Sequence, residues 1–514
     1  MKNYALALLI LLPGLPSYSA QLSNLVPGAA YLVWQDGFPG ETMVAGEGSL
    51  TVTLPAGYHK VALEFVSANP TPIPTVTEDP TPVATASPSV EPTPSATPTE
   101  KREGNEVLVA SFDQESGRNR FEILDENGNS LNGVIEVLEG VSVPGEIKAA
   151  DLDGDSVLEV VAAGWNSERG VVVEFWTGNG QMLSSADVFP VDFQDENYLL
   201  TGDFDGIEGL EAILVGRAGD GSYRSAAVSL SGEVLGDEEI LPAGYSNIES
   251  LFTSDVDGDG VGDLVVLARN ASTFVEMKVV SGNLVETSVV VFGNGYTGKV
   301  SGFPLDTDGD GILEIGCACR NANTSDFRLL VLSHEGTVVL KQNFFPGKFE
   351  DNATFTASDL NSDGRSEITA LGRMTTTGSN VIQVVDGSGD RLFSRTVLDP
   401  SYSGVNSSVL ADLNGDGVQE LVVAGSSSVS GEAAYQVFEI DGNLIAGGTA
   451  FESAATPALA SSDLDENGSE ELLILGEFED GACGLEMRDG QSGEVRFTTT
   501  FSTSPSLVMA GDMI

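Results

Sequence analysis

Between residues 151 and 474 the chain seven times writes an acidic, glycine-bearing loop and follows it with a β-branched or apolar run. The loops read DLDGDSVLEVV from Asp151, DFDGIEGLEAI from Asp203, DVDGDGVGDLVV from Asp255 and DTDGDGILEIG from Asp306. They continue as DLNSDGRSEIT from Asp359, DLNGDGVQELVV from Asp412 and DLDENGSEELLI from Asp463. Successive first aspartates lie 51 to 53 residues apart. A fixed period near this length, cut by Gly/Asn/Asp turns into short strands and free of helical periodicity, points to a propeller or a solenoid. Each period has room for four strands, as in GEIKAA, LEVVAAG, VVVEFWTGNG and QMLSSADVF around the first loop.

The two ends complete the count. SPSLVMAGDM near the C-terminus is similar to ENYLLTGDFD, the strand leading into the second loop. NEVLVASF at 105–112 is similar to LEVVAAG, a strand leaving a loop. The expected fold is all-β: residues 101–514 form a propeller of eight four-stranded blades, seven intact and one divided between the termini. Such closure removes exposed strand edges. Seven blades, or an open solenoid, are the alternatives.

Three segments precede the array. Residues 1–20 carry Lys2, an apolar run from Ala5 to Leu12 and small residues at Ser17, Ser19 and Ala20, the pattern of a signal peptide. The run is short for a membrane span, so a secreted protein is expected, with a retained anchor as the alternative. Residues 21–68 read as a small β module; its AAYLVW and LPAGYHKVALEF stretches loosely resemble PEGA-type extracellular domains. Residues 69–100 contain nine Pro and eight Thr, the composition of an extended linker.

Asp and Glu total 77 against 23 Lys and Arg, a net charge of −54. That surface repels nucleic acid and anionic membrane, and neither is expected as a partner. With 41% apolar and 19% charged residues the chain can still bury a large core. Three cysteines are too few for a disulfide framework and read as buried thiols; two histidines leave almost nothing for His-based chemistry.

Ca²⁺ takes six to eight oxygen ligands, and the loops supply oxygens at positions 1, 3, 5 and 9, with Gly at 4 or 6 for a tight turn. The first loop offers Asp151, Asp153, Asp155 and Glu159; the third Asp255, Asp257, Asp259 and Asp263; the fourth Asp306, Asp308, Asp310 and Glu314. The fifth offers Asp359, Asn361, Asp363 and Glu367; the sixth Asp412, Asn414, Asp416 and Glu420; the seventh Asp463, Asp465, Asn467 and Glu471. The second has Ile207 at position 5, leaving Asp203, Asp205 and Glu211, and is expected to bind weakly or not at all. An EF-hand needs an acid at position 12 and a following helix. Here position 12 is Val266 or Cys317 and strands follow, so these are strand-to-strand hairpins. About six or seven structural Ca²⁺ ions are expected; plain solvated acidic turns are the alternative.

These loops resemble FG-GAP repeats, found in integrin α-subunit propellers and in bacterial exported proteins. The resemblance covers 101–514 and implies a β-propeller with Ca²⁺ between the first and second strands of each blade. Integrin propellers have seven blades, so eight is a departure.

An aromatic residue stands ten positions before the loop in five repeats: Phe193, Tyr245, Tyr296, Phe349 and Tyr402. They match the Phe of the FG motif, though Gly follows none of them. Packing between blades is favoured over sugar stacking. Arg169, Arg217, Arg269, Arg320 and Arg373, with Arg118, Arg120, Arg224 and Arg328, fall in or beside turns after second strands, all on the face opposite the loops. They suit an anionic ligand, or pair with acids such as Glu168, Asp220 and Asp326. The expected function is a monomeric, non-enzymatic module that binds or adheres to an extracellular polysaccharide or protein. A rhamnogalacturonan-type lyase, found on some eight-bladed calcium propellers, and a structural scaffold are the alternatives.

Overall fold

In the computed structural model the chain divides into two units, Met1–Thr97 and Pro98–Ile514. The structure describes six strands between residues 4 and 67 by their backbone. It also describes residues 105–513, apart from 194, 208, 282–283, 346–348, 352, 403–406, 453–455, 479–481, 502–504 and 512. In the first unit His59–Ser67 pairs antiparallel with Tyr4–Leu9 and with Ala30–Gln35, and Phe38–Val44 completes a four-stranded sheet. Ser17–Leu22 pairs with Leu50–Pro55. The expected linker at 69–100 lies outside the described residues.

The second unit is an eight-bladed β-propeller. Eight four-stranded antiparallel sheets follow one another along the chain. The first blade runs Glu146–Ala150, Glu159–Asn166, Gly170–Trp176 and Met182–Phe189; the next six repeat it, each carrying the acidic loop of the same ordinal between its first two strands. The eighth takes Pro505–Gly511 from the C-terminus and Glu106–Asp113, Arg118–Leu124 and Ile135–Val137 from the other side of the array. The first strand of each blade packs on that of the next, and Pro505–Gly511 packs on Glu146–Ala150, which closes the ring.

Burial falls from the inside of a blade to its rim, which explains the sequence pattern. Second strands such as Glu159–Asn166 and Asp263–Asn270 are buried over most of their length, because a sheet lies against each of their faces. They therefore read as unbroken apolar runs rather than alternating ones. Fourth strands such as Met182–Phe189 and Arg391–Val397 form the rim and are largely exposed. The core lies between blades: Val161, Val173 and Phe175 of the first share one cluster with Leu199, Ala212 and Leu214 of the second.

Polar clasps add to this packing. Leu138, Phe345 and Leu398 follow fourth strands with φ of 57°, 54° and 52°, a left-handed backbone that side chains rarely adopt. Each donates its N–H to a third-strand side chain of the next blade: Glu174 at 2.8 Å, Gln383 at 3.0 Å and Gln436 at 2.8 Å. At the divided blade, Met513 N–H donates to buried Glu106 at 2.7 Å, tying the two ends together. No helix of the described residues is long and apolar enough to cross a membrane.

Candidate functional site

Each acidic loop is built on one scheme. Position 9 is the first residue of the second strand in all seven: Glu159, Glu211, Asp263, Glu314, Glu367, Glu420 and Glu471. Its carboxylate turns back under the loop and accepts the N–H of position 2, at 3.0 Å from Leu152, 2.7 Å from Phe204, 3.0 Å from Val256, 2.9 Å from Thr307, Leu360 and Leu413, and 2.8 Å from Leu464. Position 2 is apolar in six loops, and Leu152, Val256, Leu360, Leu413 and Leu464 are buried, which anchors the loop in the core. That alternation of acid and apolar residue is legible in the repeats and distinguishes these turns from merely solvated ones.

The first aspartate organises the turn. Asp255 accepts Gly258 N–H at 2.7 Å and Gly260 N–H at 2.9 Å, and Asp306 and Asp412 do the same with their own glycines. Position 4 is left-handed in all seven loops, and position 6 in the six where it is described; Ser156, Ser362 and Glu466 adopt this backbone where glycine is absent. Loops are also stitched to their neighbours: Leu210 N–H donates to Asp151 O at 3.1 Å and Glu470 N–H to Asp412 O at 2.8 Å. Asn105 continues the pattern by donating to Leu464 O at 3.0 Å, so the loops form a belt on one face.

Five loops bring three acids together with ligand oxygens within 4.8 Å of one another. These are Asp151, Asp153 and Glu159; Asp203, Asp205 and Glu211; Asp255, Asp257 and Asp259; Asp306, Asp308 and Asp310; and Asp463, Asp465 and Glu471. The second loop thus keeps three convergent acids despite Ile207, which is exposed. In the fifth and sixth loops the position-3 amides donate to the position-9 acid, Asn361 to Glu367 at 2.9 Å and Asn414 to Glu420 at 2.7 Å. Burial pushes the carboxyls of Glu159, Glu367 and Glu420 up to about 7 and those of Glu211 and Asp263 up to about 6; the loop aspartates push the same way. Such crowding of negative charge favours a cation.

The third and seventh loops answer the question of fit differently. In the third loop Asp255, Asp257 and Asp259 converge without the position-9 acid; Asp263 lies 1% exposed under them, and its Oδ1 makes no hydrogen bond, an acceptor left free for a hard cation. In the seventh loop the Arg496 guanidinium lies against Asp465 Oδ2 at 2.7 Å and Glu471 Oε1 at 3.0 Å. It also meets Asp489 Oδ2 at 2.5 Å and holds that carboxyl down at about 2. Arg496 is distant in sequence from the motif, so the repeat pattern gave no sign of it.

The opposite face carries the arginines. All five singled out are ion-paired: Arg169 with Asp187 at 2.5 Å, Arg217 with Glu196 at 3.7 Å, Arg269 with Glu249 at 2.9 Å, Arg320 with Asp351 at 2.6 Å and Arg373 with Glu350 at 3.1 Å. The last four lie at the last or last-but-one position of the second strands of blades two to five. A cavity of about 410 Å³ opens among the inner strands of blades three to five, lined in part by Ser250, Lys299, Ser301, Thr354 and Arg373.

The recurring aromatics pack inside the fold. Phe193 stacks on Phe189 with centroids 4.6 Å apart, Phe349 on Phe345 at 4.5 Å, and Tyr296 lies 4.8 Å from Phe292. Tyr245 and Tyr402 donate their hydroxyls to Glu276 and Glu432. Cys317, Cys319 and Cys483 are free and buried.

The fold and its loops define the class: an eight-bladed β-propeller with an acidic belt on one face. No protein-family profile matches the sequence, and no curated protein matches it either. Solved propellers align over much of its length. BamB from Moraxella catarrhalis shares 14% identity over 70% of this chain and 90% of its own, with a TM-score of 0.38. The V. cholerae biofilm matrix protein Bap1 shares 13% over 79% and 78%, with a TM-score of 0.35. AofleA from Arthrobotrys oligospora shares 12% over 61% and 91%, with a TM-score of 0.35. Likeness at this level says nothing about what the chain binds.

Proposed function

We propose that the protein is a secreted, calcium-stabilised propeller of the FG-GAP type that binds an anionic extracellular polysaccharide or protein without transforming it. Calcium would be held by the first six loops, the second most weakly, with the position-9 carboxylates closing each site from below. Bound ions neutralise the crowded acids and stabilise the folded state only, by mass action. The signal-like residues 1–20 support export.

One observation carries the ligand reading. In a chain of net charge −54, Arg373 and exposed Lys299 line one cavity on the face away from the acidic belt, and Arg217, Arg269 and Arg320 stand at closely matching positions of the three preceding blades. Their paired acids hold the guanidinium groups in fixed positions, and a carboxylate-bearing sugar can meet the cations' remaining donors. The test is a panel of acidic and neutral polysaccharides incubated with the full chain, in calcium and in chelator, scored for retention and for unsaturated uronate products. Retention of acidic polymers without products is the expected result. Products would overturn it in favour of a lyase, and no retention would turn the search to protein ligands.

A further inference from the structure

We infer that in the seventh loop the guanidinium of Arg496 stands in place of the metal ion, so that this blade is held together without calcium. The inference rests on the calcium reading of the other loops. In six blades the fourth strand opens with a bulge against the third, placing one extra residue beside the acidic loop. That residue is Glu286 in blade three and Leu183, Val339, Leu392 and Ile445 in blades one, four, five and six, the last four each at least 41% exposed. In blade seven the same position is Arg496, whose side chain is only 22% exposed because it turns onto the loop.

The guanidinium meets three carboxylates from three elements: Asp465 in the loop, Glu471 at the start of the second strand and Asp489 in the turn after the third. Asp465 and Glu471 are the position-3 and position-9 acids that converge with Asp463 within 4.8 Å. Glu471 is wholly buried, and Arg496 brings a positive charge to 3.0 Å from its Oε1, an ion pair without hydrogen-bond geometry. The planar fork can address separate oxygens at once, which a lysine at this position could not do as well. A dication entering beside it would be repelled at close range and would find two of the loop's principal oxygens already facing a cation. The backbone scaffold is nevertheless intact: Asp463 accepts Asn467 N–H at 3.0 Å and Gly468 N–H at 2.9 Å, as Asp359 accepts Asp363 and Gly364 in the fifth loop. Removing the guanidinium should therefore uncover a cation site.

The experiment counts calcium per full-length chain by elemental analysis after equilibrium dialysis at fixed free calcium. Arg496→Gln should bind one more ion than the wild type. Asp465→Asn should leave the wild-type count unchanged, yet abolish the extra ion when combined with Arg496→Gln. Equal non-zero counts for wild type and Arg496→Gln would overturn the inference while leaving the calcium reading intact. So would the loss of one ion from Asp465→Asn alone, which does not depend on Arg496→Gln folding. No bound calcium on any chain would overturn the calcium reading, and with it any role for Arg496 as an ion's replacement.

Discussion

Replacing Asp263 with Asn should raise stability in chelator and lower it in calcium. Asp263 sits under the third loop, with one oxygen accepting Val256 N–H at 3.0 Å and the other unpartnered. Burial, reinforced by Asp257 and Asp259, pushes its carboxyl from 3.8 up to about 6. A displacement of roughly two units corresponds to about 3 kcal/mol of unfavourable ionisation at neutral pH. The loop's outer side is open to water, and that screening leaves about 1–2 kcal/mol. Asn keeps an oxygen for Val256 and removes the charge, so the metal-free variant gains about that much. In calcium the variant loses a ligand. At free calcium a hundredfold above the dissociation constant, one site contributes about 2.7 kcal/mol, and its loss outweighs the gain by about 1 kcal/mol. For a unit of this size 1 kcal/mol moves the midpoint by roughly 1 °C. Calorimetry should therefore read about +1 to +2 °C in chelator and about −1 °C in calcium. Destabilisation of equal size in both conditions would refute the reasoning, because it would make Asp263 a structural acceptor and nothing more.

Three further outcomes follow from the same geometry. In chelator the raised carboxyls of Glu159, Glu367 and Glu420 make the folded state bind more protons than the unfolded one between about pH 4.5 and 7. Their contribution is thus present below pH 4.5 and lost as pH rises through 7; the metal-free midpoint should be higher at pH 5 than at pH 7.5, and a rise over that interval would contradict the assignment. Glu106→Ala leaves the buried Met513 N–H without its acceptor and should cost about 1–3 kcal/mol, with faster carboxypeptidase trimming of the last strand than in wild type. Phe345→Ala empties a fully buried ring stacked on Phe349 and should cost about 3–5 kcal/mol by calorimetry, whether or not calcium is present.

The blade count and the divided eighth blade were legible because both are written in short-range order. A buried second strand must read as an apolar run, and an acidic hairpin must precede it, so the period and the matching of SPSLVMAGDM to ENYLLTGDFD were enough. The packing of Phe193 and Phe349 followed from the same logic, since an aromatic recurring at one blade position has a neighbouring blade to fill. What was not legible lies between repeats. Arg496 reaches Asp465 from a fourth strand, and nothing in the motif distinguishes its position from Leu183 or Ile445 until the bulge aligns them. The acids that pair with the arginines likewise come from segments whose lengths vary: Glu249 lies within a first strand, whereas Glu350 and Asp351 precede one. A repeat motif therefore specifies what each blade can offer a cation. Whether a given blade's acids stand open to a cation or face an arginine of the same blade is decided by side chains arriving from outside the motif, as Arg496 does at Asp465 and Glu471.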